Sequence, residues 1–214
     1  MSQIPKGLSR TLEAMAPTAP FALFLRHGER LPILPDDPYA DVDLTPAGLE
    51  ATVELGRRLP AHLAWTAVSP YLRCRRTAEA LGTHAGAPRQ EVDTRLGSPG
   101  PWVMDRAEGA RLFAEMGTEG VVRAQLSGRQ WPFIRHEEEG TRLLVSAALE
   151  RLDAGRGSGV CVSHDAVLMP AISTLTRERF EGEWLAPLDG FAVQRVGGGL
   201  RFIWRGEKRE VEAW

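Results

Sequence analysis

Cysteine and lysine are nearly missing from this chain. Cys74 and Cys161 are its only cysteines, too few for a disulfide framework or a cysteine-based zinc site. Lys6 and Lys208 are its only lysines, and the remaining strong bases are arginines. Genomic base composition accounts for that bias, so an arginine here is not a phosphate ligand merely by being an arginine. No apolar run approaches the roughly 20 residues that span a bilayer. The run Phe21–Leu25 is too short for a signal peptide, and Glu13 and several prolines interrupt the N-terminal region. A net charge of -2 over 214 residues gives no reason to expect a nucleic-acid or membrane partner. There is no internal repeat and no dividing linker. These absences lead to the expectation of a cytoplasmic enzyme in one domain, residues 1–214, with its oligomeric state left open. A chain of this length buries roughly 70% of its unfolded surface.

What is present centres on Phe21-Ala-Leu-Phe-Leu-Arg-His-Gly-Glu-Arg-Leu-Pro32. Its apolar start reads as a buried strand of a parallel sheet. Where that strand should end, Arg26, His27 and Arg30 crowd around Gly28. A proline-rich loop follows, with Pro32, Pro35 and Pro38. Then Thr45 offers a helix N-cap and Pro46 a first helical residue. Leu49, Val53, Gly56 and Leu59 share one helical face, and Pro60 stops the helix. Trp65–Val68 reads as a second strand, Tyr71–Leu81 as a helix, and Glu91–Asp93 as a short third strand.

Residues 97–136 read as an excursion above the sheet, a helical lid insertion. Helical patterns fit about 105–116 and 118–126, with glycines between. Glu137-Glu-Glu139 opens another helix at its positive end, and Gly155 closes it. Gly159–Val162 is a strand ending in Ser163-His164-Asp165, and a helix containing Pro170 follows. Phe191–Val196 and Leu200–Trp204 form a hairpin around Gly197–Gly199. The glycines 155–159 precede a strand rather than open a helix, which argues against a phosphate-cradling loop. The expected fold is an α/β three-layer sandwich, its central sheet mostly parallel, with helices on both faces.

Three expected strands thus end in chemically suggestive residues. The first delivers Arg26, His27 and Arg30. The second delivers Ser69 and, one turn on, Arg73. The later one delivers His164 and Asp165. An α/β sheet binds ligands at the carboxyl ends of its strands, and guanidinium forks fit phosphate oxygens. A histidine there serves as nucleophile, base or acid. Asp165 has a plainer reading as a helix N-cap, and His62 and His84 read as surface residues.

The motifs resemble the histidine phosphatase superfamily. Arg26-His27-Gly28 is similar to its signature, Ser69-Pro-Tyr-Leu-Arg73-Cys-Arg-Arg-Thr77-Ala78 to its second motif, and Ser163-His164-Asp165 to its third. Leu44-Thr-Pro-Ala-Gly48 is also typical. The resemblance covers residues 21–175 and mixes two branches. Length and the Thr-Pro-Ala-Gly helix resemble the phosphoglycerate mutase branch. Arg30, Pro32 and the pair His164-Asp165 resemble the acid phosphatase branch. Where the mutase branch carries an acidic Glu after Arg-Leu, this chain has Arg95-Leu96-Gly97-Ser98.

The resemblance implies that neutral His27 attacks phosphorus and becomes phosphohistidine. It implies that Arg26, Arg30, Arg73 and His164 hold the phosphoryl oxygens, and that Asp165, kept protonated, is the acid; Glu29 reads equally as a carboxylate that helps keep it so, a solvated charge or an arginine partner. No metal or other cofactor is implied, and the substrate would be a small-molecule phosphate ester. A phosphomutase and a silent phosphate-binding module are the alternatives. Trp102, Arg106, Arg111, Trp131 and Arg135 are candidates for substrate selection from the lid.

Overall fold

The computed structural model describes residues 4–16, 19–34, 40–59, 63–85, 90–97, 100–179, 184–196 and 199–211. Pro35, Pro38, Pro60, His62, Ser98, Gly197 and Gly198 lie outside the described residues, as does the side chain of His84. In chain order the elements are α1 (Lys6–Ala14), β1 (Phe21–Arg26), α2 (Pro46–Arg58), β2 (Trp65–Val68), α3 (Leu72–Ala85) and β3 (Gln90–Val92). A 3-10 turn (Thr94–Leu96), α4 (Arg106–Leu126), α5 (Glu137–Asp153), β4 (Gly159–Ser163) and α6 (Asp165–Thr176) follow. β5 (Gly190–Val196), β6 (Gly199–Trp204) and β7 (Glu207–Val211) complete them.

The strands form one sheet in the order β3-β2-β4-β1-β5-β6-β7. β3, β2, β4 and β1 pair in parallel. β5, β6 and β7 add antiparallel pairings. The sheet is therefore mixed, not mostly parallel. Its antiparallel half is larger than expected because β7, which is rich in charge, gives no apolar alternation to read. The turn before it places Arg205 and Gly206 at φ 51 and 92, with Trp204 opposite Glu207. Two successive positive-φ residues make a tight hairpin turn, and an arginine does not announce one.

Alternation along the strands feeds two cores. Ala22 and Phe24 of β1 join Trp65, Cys161, Phe191 and Phe202 on one face, under α5 and α6. Phe21, Leu23 and Leu25 join Val160 and Val162 on the other, with residues of α1, α2 and α3. This is the three-layer arrangement, set by the period of two along a strand. Phe24 stacks on Phe191 at 4.8 Å, and Phe191 meets Phe202 at 5.2 Å. Cys74 and Cys161 belong to different cores and are free.

α2 begins as its sequence dictates. Gly48 N donates to Thr45 Oγ1 at 2.9 Å, with Pro46 in the first turn. Of its expected face, Gly56 and Leu59 are buried, but Leu49 is 46% exposed and Val53 only half-buried, and Gly48, Thr52 and Leu55 are buried in their place. Close backbone approach decides this. A Cβ on Gly56 would lie 2.8 Å from Leu81 O in α3, and one on Gly48 would lie 2.1 Å from Glu29 O. Small residues make the seam with Leu55 and Leu59, so the buried stripe is turned away from Leu49. α4 holds both helical segments expected in 97–136, joined at Gly117 with φ 70 and ψ 160. That region of backbone space belongs essentially to glycine.

Candidate active site

The chain leaves β1 through His27 and Gly28, and several contacts fix this step. His27 N donates to Ser163 O at 2.9 Å. Gly28 N donates to Thr77 Oγ1 at 2.9 Å, and Thr77 Oγ1 donates to Arg73 O at 2.7 Å. A Cβ on Gly28 would lie 2.8 Å from Thr52 Oγ1, which is why only glycine follows His27. The motif residues Thr77 and Gly28 are thus backbone supports for the histidine.

His27 is buried at 2% exposure, and its Nδ1 lies 2.7 Å from Gly28 O. A carbonyl oxygen only accepts, so Nδ1 carries the proton and Nε2 the lone pair. Burial is the main cause that lowers the His27 pKa, to about 3; the Gly28 carbonyl opposes it, and Arg26 and Arg73 add to it. The imidazole is therefore neutral and nucleophilic at Nε2 across ordinary pH.

His164 stands beside it at the end of β4, the ring centroids 5.4 Å apart. Its Nε2 is 2.8 Å from Ser69 Oγ, at the end of β2. With Ser69 donating, the ring proton sits on Nδ1. Burial, then Arg73, holds His164 well below the usual histidine range. Tyr71 packs edge-on to His164 at 5.3 Å, and Arg73 lies over the Tyr71 ring at 4.5 Å. Arg73 is buried at 6% exposure, its Nη1 donates to Ala40 O at 3.1 Å, and its Nε has no hydrogen-bond partner among the described residues. A Cβ on Gly97 would lie 2.7 Å from Ser69 Oγ, so glycine lets the turn after β3 close against this group. Arg95 points elsewhere, to Asp93 and Glu150.

Asp165 is not the N-cap of α6; His164 holds that position, and Asp165 is the first helical residue. Its Oδ1 accepts from Ala166 N at 2.8 Å. Its Oδ2 accepts from Trp184 Nε1 at 2.9 Å and pairs with Arg26 Nη2 at 2.8 Å. Burial alone would push the carboxyl up, but Arg26 first, then Trp184, His27 and Ala166, outweigh it and hold Asp165 below its ordinary value. Asp165 is therefore a carboxylate in this structure, not the protonated acid expected. Glu29 is exposed and does not line the cavity. Arg26 also departs from expectation: its guanidinium is engaged by Asp165 and Leu185 O, and it does not line the cavity.

The cavity between these groups has a volume of about 110 Å³. His27, Arg30, Arg73, His164 and Asp165 line it, with Ile33, Tyr71, Gly97, Phe113, Thr118, Ala166 and Val167. Arg30 is placed by its bridge to Leu44 and donates through Nη1 to Leu31 O at 2.9 Å. None of the five side chains expected to select substrate faces this space. Trp102 is buried and donates to Val167 O at 2.9 Å. Trp131 and Arg135 line a separate cavity with His136 and Arg179. Phe113 and Thr118 are the contribution of α4, and they flank its Gly117 break. Trp184 is the other residue that sequence reasoning missed, because nothing local ties it to Asp165, 19 positions away. Among the described residues no group of three or more His, Cys, Asp and Glu is placed to hold a metal ion. No helix among them is long and apolar enough to cross a membrane.

A search of curated proteins returned no match. Among solved structures, YhfR of Bacillus stearothermophilus is similar at a TM-score of 0.63 and 18% identity, over 87% of this chain and 96% of that one. A mycobacterial glucosyl-3-phosphoglycerate phosphatase complexed with VO3 gives 0.57 and 16%, over 87% and 97%. A phosphoserine phosphatase variant of Entamoeba histolytica in complex with phosphoserine gives 0.58 and 16%, over 89% and 94%. These likenesses show the fold. The family model described as histidine phosphatase superfamily (branch 1) matches residues 22–198. With that match over most of its length, and with His27, Arg73 and His164 gathered at one sheet edge, this chain belongs to the histidine phosphatase superfamily and is an enzyme of the phosphatase class.

Proposed function

We propose that this protein hydrolyses small phosphate monoesters through a phosphohistidine at His27. The observation that carries this reading is the tautomer of His27. Its Nδ1–H is spent on Gly28 O, so the Nε2 lone pair is left for attack in a cavity that also presents Arg30, Arg73, His164 and Asp165. Nucleophilic attack needs in-line geometry and positive charge around the equatorial oxygens. Arg30 and Arg73 supply that charge without a metal ion, and neutral His164 adds an N–H donor.

Asp165 acts as the acid in a substrate-dependent way. A phosphate dianion entering beside Arg26 competes with Asp165 for the guanidinium. Losing that pair, and gaining a negative neighbour, raises the carboxyl pKa. Protonated Asp165 then donates to the leaving oxygen, and as carboxylate it later takes the proton of the water that cleaves phosphohistidine. The Arg26–Asp165 contact at 2.8 Å supports this exchange. In this reading Arg26 becomes a phosphate ligand only with substrate bound. Residues 97–136 act as a lid through Phe113 and Thr118, within one domain spanning 1–214. Arg30 and Asp165 are the acid phosphatase-like elements of the site.

The test is phosphate release from a panel of aryl, alkyl and sugar phosphates, nucleotides and phosphoglycerates, with labelling quenched in alkaline detergent to trap the phosphoenzyme. Acid-labile label on the wild type, absent from His27→Ala together with all turnover, is expected. Asp165→Asn should keep the label while slowing turnover of alkyl esters about 10²–10⁴-fold, the usual worth of general acid catalysis. Chelator should leave the rate unchanged. Turnover in His27→Ala would overturn the reading, and label passing to an added alcohol in preference to water would make the protein a mutase.

A further inference from the structure

Five of the side chains lining the cavity are accounted for by the phosphoryl group and its transfer: His27, Arg30, Arg73, His164 and Asp165. What remains for the alcohol part of the ester is Ile33, Tyr71, Phe113, Thr118, Ala166 and Val167. This second set contains no cation. Outside the phosphoryl set, the described bases near these residues in sequence are paired: Arg111 with Glu108, Arg123 with Glu119, Arg75 with Asp41, and Arg76 with Asp43 and Glu79.

We infer, resting on the phosphatase reading above, that the alcohol part of the substrate is uncharged and largely apolar. A second anionic group, such as the carboxylate of a phosphoglycerate or of phosphoserine, would be set against Ile33, Phe113 and Val167, with no cation among the described side chains of that set and with Arg30 and Arg73 taken by the phosphoryl group. Burying an unpaired carboxylate is strongly unfavourable. An aromatic or branched aliphatic group instead replaces water against Phe113 and the ring of Tyr71, which Arg73 and His164 already hold. Thr118 offers one hydroxyl, enough for a single neutral polar substituent. The same wall that excludes charge would supply the binding energy.

The experiment compares benzyl phosphate with para-carboxybenzyl phosphate, esters that differ by one carboxylate far from the scissile bond. Wild type is expected to favour benzyl phosphate in kcat/KM by at least about tenfold, the scale of discrimination that a pocket of this kind attains. Phe113→Arg should narrow or invert that ratio by improving the carboxylated ester, and Phe113→Leu should leave the order unchanged. Equal rates, or preference for the carboxylated ester by wild type, would overturn the inference. So would turnover of phosphoglycerates or phosphoserine with neither benzyl ester accepted, an outcome in which the phosphatase reading survives. Absence of turnover and of phosphohistidine with every ester would remove the phosphatase reading, and the inference with it.

Discussion

Asp165 is held by three donors at once. Arg26 and Trp184 meet at one oxygen and Ala166 N at the other. The second oxygen keeps free lone pairs, and it is the one that can turn toward a leaving group. Trp184 therefore does two things: it fixes the rotamer of the carboxyl, and it favours the charged form. Removing its N–H in Trp184→Phe should let the Asp165 pKa rise, so the alkaline limb of kcat moves to higher pH. Because the carboxyl also loses the N–H that fixes its rotamer, the pH-independent kcat should fall while KM changes little. A Trp184 that only filled space would lower stability and leave the pH profile in place. At His27 the logic runs the other way. Its ring is neutral down to about pH 3, so the acidic limb of activity at milder pH should track the substrate or another group and not this histidine. These roles follow from which atom faces which. Residue types alone brought His27, Arg73 and His164 together, but they gave no sign that the fork of Arg26 is turned to Asp165.

At the scale of elements, α4 is the part whose reading changed most. Its two segments were visible in the sequence because glycine interrupts both helical patterns. Which side chains it turns toward the cavity was not, because helical periodicity fixes a face relative to the helix and not relative to its neighbours. Gly117 bridges the two halves at φ 70 and ψ 160, and a Cβ there would meet nothing within 4 Å. Gly117→Ala thus tests backbone conformation alone. It should destabilise the protein by about 1–3 kcal/mol in urea unfolding, the cost of this region for a residue other than glycine. Because Phe113 and Thr118 lie on either side of the break, it should also raise KM more than it lowers kcat. Unchanged KM with a full loss of stability would sever α4 from substrate binding. The close-packed seam of α2 carries the same lesson. Gly48 and Gly56 were legible as helix residues, but their burial depends on Glu29 and Leu81 lying opposite.

For the whole molecule, the two buried neutral histidines couple the site to stability. The ordinary histidine value is 6.5, and His27 is lowered to about 3 in the fold; His164 is lowered in the same direction. Between those values the unfolded chain binds protons that the folded chain refuses. Stability therefore rises with pH, is fully present above about 6.5, and is lost as pH falls toward 3. Each group contributes a slope of about 1.4 kcal/mol per pH unit where it is charged only in the unfolded chain. Asp165, held below its usual value, acts in the same sense at the acid end. Thermal unfolding from pH 7 to about 4.5 should show a steep fall in Tm, and His27→Gln should remove one proton's share of that slope. An unchanged slope in that variant would mean that His27 is not buried neutral. Composition, punctuation by Gly and Pro, and the alternation of apolar residues were enough to determine the parallel core strands, the helices between them and the edge where Arg30, Arg73, His27 and His164 gather. These are local signals, written in neighbouring residues. The tertiary structure alone decided the antiparallel half of the sheet, the pairing of Arg26 with Asp165, the reach of Trp184 to that carboxylate and the apolar wall built by Phe113. Each of these depends on residues far apart in the chain being brought within a few ångströms, and a one-dimensional pattern carries no distance between them.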